Sequence, residues 1–314
     1  MILIAGQPDE PPVALVMEAL DEMGAGYHVL DQDQFANTTF DTGVSDGGAL
    51  TTALTLDGET IDLSRLTGVY VRLMDFPGGA DDDRNNPQLQ HARGIQKRLN
   101  IWFDLVPARV LNRPAAMASN ASKPFQALAI RQCGFHIPET LITNDPVEAR
   151  TFAEAAWDEG GGIIYKSISG VRSIVVEMKP DDLNRLDSIR WCPVQFQKKV
   201  PGRDVRVHVV GGEVFAAGID SDAVDYRYAA RQTDRDAELS AITLDTEIAN
   251  AALRLSEMLS LPLTGIDLRI SAEGHVTCFE ANPSPAYSYY QNRTGLPIAN
   301  AIARYLLGQS APTV

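Results

Sequence analysis

A chain of 314 residues with 45% hydrophobic and 22% charged side chains lies inside the globular range and is long enough for two domains. Its formal net charge of −14 argues against a nucleic-acid tracker, because phosphate-backbone binding needs a dense basic surface. Cys133, Cys192 and Cys278 stand singly, without metal spacing or a disulfide framework, which suits the reducing cytoplasm. No apolar run reaches the length of a membrane span, and the start MILIAGQPDEPP lacks the basic and long apolar regions of a signal peptide. A cytoplasmic protein with no membrane partner is expected.

Met1 to Ala5 is a short apolar run, and Pro12 to Met23 sets Val13, Val16, Leu20 and Met23 at helical spacing before Gly24 and Gly26. With the next strand at Tyr27 to Leu30, this β-α-β opening predicts a small α/β domain on a parallel sheet. Thr51 to Leu63 reads as a hairpin about Asp57-Gly58, and Gly68 to Leu73 as a buried strand. The acidic run Asp81 to Asp83 reads as a solvated loop before a helix from Leu89 to Leu105. The character of the chain changes at Val110, so a first domain of ordinary size, 1–112, is expected.

Ser122 can cap a helix running to about Cys133, with Pro124 in its first turn, Gly134 at its end and Lys123 at its start. A helix over Pro146 to Trp157 and the strand Gly162 to Lys166 follow, and Ile174 to Met178 is the returning strand. The link between these strands, Ser167 to Ser173, has small hydroxylic residues and a glycine, whose N–H groups could face phosphates. Cys192 to Val200 and Arg203 to Val210 are further strands on either side of Pro201-Gly202. Val205, Val207 and Val209 alternate with Asp204, Arg206 and His208, giving one apolar and one charged face. Asp245 or Thr246 caps a helix through Leu259 with Ile248, Ala252, Leu255 and Leu259 inward, and Pro297 to Leu307 is the terminal helix.

Between these two helices lies the most informative stretch, TGIDLRISAEGHVTCFEANPSP, from Thr264 to Pro285. Ile266, Leu268 and Ile270 share one face of a strand with Asp267, Arg269 and Ser271 on the other. A second strand covers His275 to Asn282. A two-residue hairpin would set Ser271 opposite Gly274 and Asp267 opposite Cys278, making Asp267 and Glu280 diagonal neighbours roughly 7 Å apart. Asn282 joins them on the polar face, and Phe279 goes to the apolar one. Such hard oxygen donors select magnesium or manganese, although an ordinary hairpin with a solvated face shows the same pattern.

A lysine near a helix start, a lysine before a glycine-bearing flap, a GRD-x-R strand and then D and E-x-N on a hairpin together resemble the ATP-grasp superfamily. Within it, GIDLRIS and FEANPSPAYSYYQNRTGLPIANAIARYLLG are similar to the RimK-type glutamate ligases and related ribosomal-peptide maturases, from about Asn112 to Gly308. The resemblance implies an α/β (α+β) ATP-grasp fold after a pre-ATP-grasp domain at 1–112, with a lid lobe at 113–198 and a catalytic lobe at 199–314. It gives Lys123 and Lys166 to nucleotide phosphates and Ser169 and Gly170 to the covering flap. Backbone carbonyl and N–H groups of the hinge from Gln197 through Lys198 to Val200 would read the adenine edge, and FQKKV lacks the carboxylate common there, which leaves the role of the Gln197 side chain open. Asp204 would accept from ribose hydroxyls, and Arg206 would touch phosphate or acyl phosphate. Arg269 is either a second catalytic arginine or half of a structural ion pair. Asp267, Glu280 and Asn282 would bind magnesium, or manganese in its place.

Ser284, Tyr287, Tyr289, Tyr290 and Arg293 fall at the acceptor entrance, although aromatics so spaced are more often core. Arg72 and Arg172 stay open, and no site falls to His28, His91, His136, His208 or His275. The implied reaction is an ATP-dependent carboxylate-amine ligation through an acyl phosphate, on a peptide or an amino acid, with no enzyme nucleophile. A small-molecule glutamate ligase, a kinase that stops at phosphoryl transfer and a silent nucleotide-binding protein are the competing readings. Relatives commonly self-associate, so a homo-oligomer is a further expectation.

Overall fold

The computed structural model describes residues 1–48, 50–56, 58–74, 86–168, 175–221 and 237–310. The expected acidic loop at Asp81 to Asp83 and the flap residues Ser169, Gly170 and Arg172 lie outside them. A parallel sheet in the order β2-β1-β6-β7 carries the N-terminal part: β1 (Ile2–Gly6), β2 (Tyr27–Asp31), β6 (Gly68–Arg72) and β7 (Arg109–Leu111). Both faces are covered, as a parallel sheet requires. Leu3 and Ala5 meet Ile95, Leu99 and Trp102 of helix α2 (Pro87–Leu105) on one side. Ile2 and Ile4 meet Val13, Val16 and Leu20 of α1 (Pro11–Glu22) on the other. That second layer also contains Ile298, Ile302 and Leu306 of the last helix (Ile298–Leu307), which packs back on β1 and α1. The hairpin of β4 (Leu50–Leu56) and β5 (Glu59–Asp62) forms as expected, and an unforeseen strand β3 (Thr39–Val44) pairs with it.

Next come two short helical turns, including α3 (Pro114–Met117), and then α4 (Lys123–Gln132), whose N-cap Ser122 accepts from Phe125 N at 3.4 Å. An antiparallel lid sheet in the order β10-β9-β11-β8 follows, built from β8 (Thr140–Thr143), β9 (Ile163–Ser167), β10 (Val176–Glu177) and β11 (Val194–Lys198). One face of it buries Ile163 and Phe196 against Ala149, Ala153 and Ala156 of α5 (Pro146–Asp158). The last sheet, β14-β13-β12-β15-β16, is antiparallel throughout and comprises β12 (Arg203–Val210), β13 (Glu213–Asp220), β14 (Glu238–Ile242), β15 (Leu263–Ile270) and β16 (Val276–Asn282). Val205, Val207, Val209, Ile266 and Leu268 bury one face of it against Ala252, Leu255 and Leu259, in and at the end of α6 (Thr246–Met258).

The hairpin register differs from the expected one. Ser271 N donates to His275 O at 3.0 Å, so three residues close the loop, with Gly274 in the left-handed region at φ 84°. Leu268 then pairs with Cys278, and a bulge skips Phe279 so that Asp267 sits directly opposite Glu280, not diagonal to it. The same bulge reverses two side chains. Cys278 is wholly buried in the core, and Phe279 lies beside Arg269, whose guanidinium is 5.6 Å from its ring centre.

Candidate functional site

On the polar face of the last sheet, opposite charges of β12 and β15 stand directly across from one another, and two carboxylates face each other between β15 and β16. Asp204 faces Arg269, Arg206 faces Asp267, and Asp267 faces Glu280 on its other side. Gly265 lies next along β15, opposite both His208 and Asn282. Its missing side chain matters, since a Cβ there would collide with the Arg206 guanidinium. Arg206, 5% exposed, uses that space to donate to Asp267 Oδ1 at 2.6 Å while lying 5.5 Å from the ring centre of Tyr290. His208 Nε2 accepts from Arg206 Nε at 3.5 Å. Burial, helped by the neighbouring guanidinium, pushes the His208 imidazole well below its usual range, and the neutral ring suits an acceptor.

Glu280 collects cations from two other elements. Lys123 Nζ, at the start of α4, is 3.1 Å from Glu280 Oε2, and Lys166 Nζ, on β9 of the lid, is 3.9 Å from the same oxygen. Burial raises the pKa of the Glu280 carboxyl, but Lys123 and then Lys166 outweigh it and hold the group below the ordinary glutamate range. The two lysines and the acid hairpin therefore meet, as the sequence implied.

The backbone of this acid segment is fastened by Gln126 and Asn112, whose roles sequence reasoning missed, and by Arg72, whose role it left open. Gln126 Nε2 donates to Ala281 O at 2.7 Å and its Oε1 accepts from Ala281 N at 3.3 Å, which satisfies the outer edge of β16 between Glu280 and Asn282. Asn112 Nδ2 donates at 2.6 Å to both Leu263 O and Pro283 O. Arg72 Nη1 donates to Ser284 Oγ at 3.0 Å and to Pro285 O at 3.2 Å, with its Nε on Glu10 Oε1 at 2.9 Å. Arg72 was left open by its sequence, and Gln126 left a trace one helical turn after Lys123, on the same face of α4.

Other expected residues lie elsewhere. Arg269 forks onto Asp204, Nε and Nη2 each at 2.8 Å, and its Nη1 donates to Val200 O at 2.8 Å, so it ties the hinge to β12. Gln197 Nε2 donates to Thr140 Oγ1 at 2.9 Å, inside the lid sheet. Lys198 takes the opposite face by strand alternation and pairs with Glu139 and Glu159 at 2.8 Å each, while its N–H donates to Glu139 O. Asn282 Oδ1 accepts from Ser284 N at 2.9 Å and keeps a second lone pair. Tyr287 is core, its hydroxyl on Pro12 O, and Tyr289 is partly exposed under Arg293, 5.1 Å from its ring centre.

Among the described residues no three histidine, cysteine or carboxylate side chains gather as a metal site. The set at hand is two facing carboxylates with an amide oxygen beside them, all hard donors, which fits magnesium or manganese and not a soft metal. No helix among the described residues is long and apolar enough to cross a membrane.

A profile of the RimK-like ATP-grasp domain matches residues 118–306, more than half of the chain. The ribosomal protein bS6--L-glutamate ligase of Escherichia fergusonii is 24% identical over 218 residues, 67% of this chain and 71% of that protein. A probable alpha-L-glutamate ligase of Rhodopirellula baltica is 25% identical over 217 residues, 66% of this chain but only 52% of the relative. Among solved structures, a Chryseobacterium gregarium RiPP-associated ATP-grasp ligase, in complex with ADP and a leader and core peptide, has a TM-score of 0.83 at 24% identity, covering 99% of this chain and 97% of that one. The ATP-grasp ligase PsnB, complexed with a minimal precursor, Mg and ADP, has a TM-score of 0.79 at 26% identity, covering 98% and 96%. The matched region carries both lysines, the hinge strand and the acid hairpin, and the chain belongs to the RimK-like ATP-grasp family of ligases.

Proposed function

We propose that the protein uses ATP to activate a peptide carboxylate and joins it to an amine, or to a hydroxyl, as a maturase of a ribosomal peptide. The observation that carries this is Glu280, whose one oxygen meets Lys123 from α4 and Lys166 from the lid while Asp267 stands across from it. Two structural neighbours solved with their precursor peptides, one of them at 26% identity, support the peptide reading.

Asp267, Glu280 and Asn282 would hold magnesium, which when bound neutralises charge on the triphosphate. In this reading the substrate carboxylate attacks the γ-phosphorus, ADP leaves, and the acceptor displaces phosphate from the acyl phosphate. Carboxylate and triphosphate repel, so the residues act by placing and neutralising them. Lys123 and Lys166 turn from Glu280 to phosphate oxygens. Arg206, braced by Asp267, His208 and Tyr290, meets charge on the transferred group as a preorganised donor. Arg269 is assigned to positioning, because its fork is engaged by Asp204 and Val200. Residues 1–112 support the acid segment through Arg72 and Asn112, and 113–198 carry the lid.

An ADP-release screen with magnesium across amino acids and acidic peptides tests the reading, with mass spectrometry of the product. Loss of one water per bond supports crosslinking. Addition of a glutamyl unit would favour the second reading, a glutamate ligase like the Escherichia fergusonii relative. A stable phosphorylated product, or no ADP with any carboxylate, would overturn both.

A further inference from the structure

Two glutamines of β11, Gln195 and Gln197, point to the same face of the lid sheet, and only one has its amide satisfied. Gln197 donates to Thr140, whereas Gln195 is 4% exposed and, among the described residues, its Oε1 is buried with no hydrogen-bond partner. An amide oxygen shut from water without a donor carries its full desolvation penalty, so such a group calls for a ligand that donates. Its place in the sheet names the side on which that ligand lies. Gln195 is directly opposite Lys166, whose ammonium reaches Glu280, and opposite Ile142 on the other strand, while the reverse face of β11 packs Phe196 against α5.

The geometry points to Gln195 as the residue that reads the nucleobase, selecting a 6-aminopurine. A side-chain amide offers one acceptor and one donor, the complement of the adenine 6-amino group and N7, and guanine presents two acceptors on that edge. Lys166, across the strand pair, stays on the phosphate side of the same ligand. The inference rests on the proposed nucleotide site and adds to it a residue and a selectivity. The side chain of Gln197 already has a partner in Thr140, which leaves the backbone of the hinge and the amide of Gln195 to meet the base.

The test is calorimetric titration of the full chain, with magnesium, by ATP and by purine riboside triphosphate, which lacks the 6-amino group. Wild type is expected to prefer ATP, and Gln195→Met to narrow that preference by about tenfold while binding purine riboside triphosphate within about twofold of wild type. An unchanged preference in Gln195→Met would overturn the inference and leave the nucleotide site standing. Wild-type protein that binds neither triphosphate would overturn the site itself, and the inference with it. Should circular dichroism show Gln195→Met unfolded, Gln195→Glu decides: it keeps the acceptor and must keep the preference for the 6-amino group, and its loss counts against the assignment.

Discussion

The two sheets that bring groups to Glu280 differ in how they treat charge. On the polar face of the five-stranded sheet the charges of β12 and β15 pair directly across the strands, Asp204 with Arg269 and Arg206 with Asp267, while Glu280 on β16 faces Asp267 and takes its cations from other elements. Among the described residues the matching face of the lid carries Lys166 and, on the edge strand β10, Glu177, with amides and aliphatics such as Gln195, Gln197 and Ile142 across its middle. Half-buried charges are tolerable only when paired, and pairing across strands holds them at fixed spacing with little reorganisation. The amide groups in the middle of the lid face suit hydrogen-bond reading of an uncharged ring. On the proposed reading the five-stranded sheet would hold the phosphate and metal end of a nucleotide together with Lys166, and the amides of the lid would meet its base.

The hardest blow to that contrast falls on Glu280, where the sheets meet. Glu280→Ala removes the group that faces Asp267 and carries both lysines, and it should lower ADP release by about a hundredfold or more. The fold should survive, because side-chain exposure of 23% for Glu280 and Lys123 leaves no core group stranded. Steady-state ADP release with a thermal melt checks both halves, and undiminished turnover would refute the metal assignment. A smaller loss is expected for Lys166→Ala, which leaves the acids intact: ATP affinity and turnover should fall together, by about tenfold. Unaltered ATP affinity in a direct titration would separate the lid lysine from the nucleotide.

Much of this arrangement was legible in strand parity and little of it in strand register. Alternation alone placed Val205, Val207 and Val209 inward with Asp204 and Arg206 on the other face, and set Asp267 on the polar side of its own strand, since a period of two needs no knowledge of the partner strand, whereas joining Glu280 to Asp267 rested on the hairpin register. The bulge at Phe279 could not be read that way, because it depends on the three-residue loop closed at Gly274 and on the fit of β16 against β15. It changed the faces of Cys278 and Phe279 and moved the two acids from diagonal to opposite. Strand β13 escaped notice for another reason: Ala216, Ala217 and Gly218 have low strand propensity, and Gly218 is small because the Arg203 guanidinium packs over it. Gln126 and Asn112 act on backbone groups distant in sequence, and residue type alone does not announce such contacts.

Gln126 sharpens the comparison from the backbone side. Gln126→Leu would leave Ala281 N–H and C=O without partners at a buried edge, which costs about 1–3 kcal/mol for each unsatisfied group. Ala281 lies between Glu280 and Asn282, so the magnesium concentration needed for half-maximal ADP release should rise several-fold. ATP binding without metal should stay within about twofold, since no lysine has moved. Manganese binding followed by electron paramagnetic resonance in the presence of ADP reads the same shift without turnover, and an unmoved metal affinity would reduce Gln126 to a packing role.

The weakest effect should come from the lysine whose position in the sequence looks most suggestive. Lys198 stands in the hinge strand, three residues beyond Gln195, and so on the opposite face of the lid from Lys166. Its ammonium lies between Glu139 and Glu159, which are 61% and 64% exposed, and water screens such pairs heavily. Lys198→Ala should accordingly leave ATP affinity and ADP release within about twofold of wild type, in the titration and assay that register Lys166→Ala. A tenfold loss at Lys198 would mean that the hinge strand presents its other face to the nucleotide. Gln195 and Lys166 would then both be on the wrong side of the sheet, and the division of labour between the lid and the five-stranded sheet would fail with them.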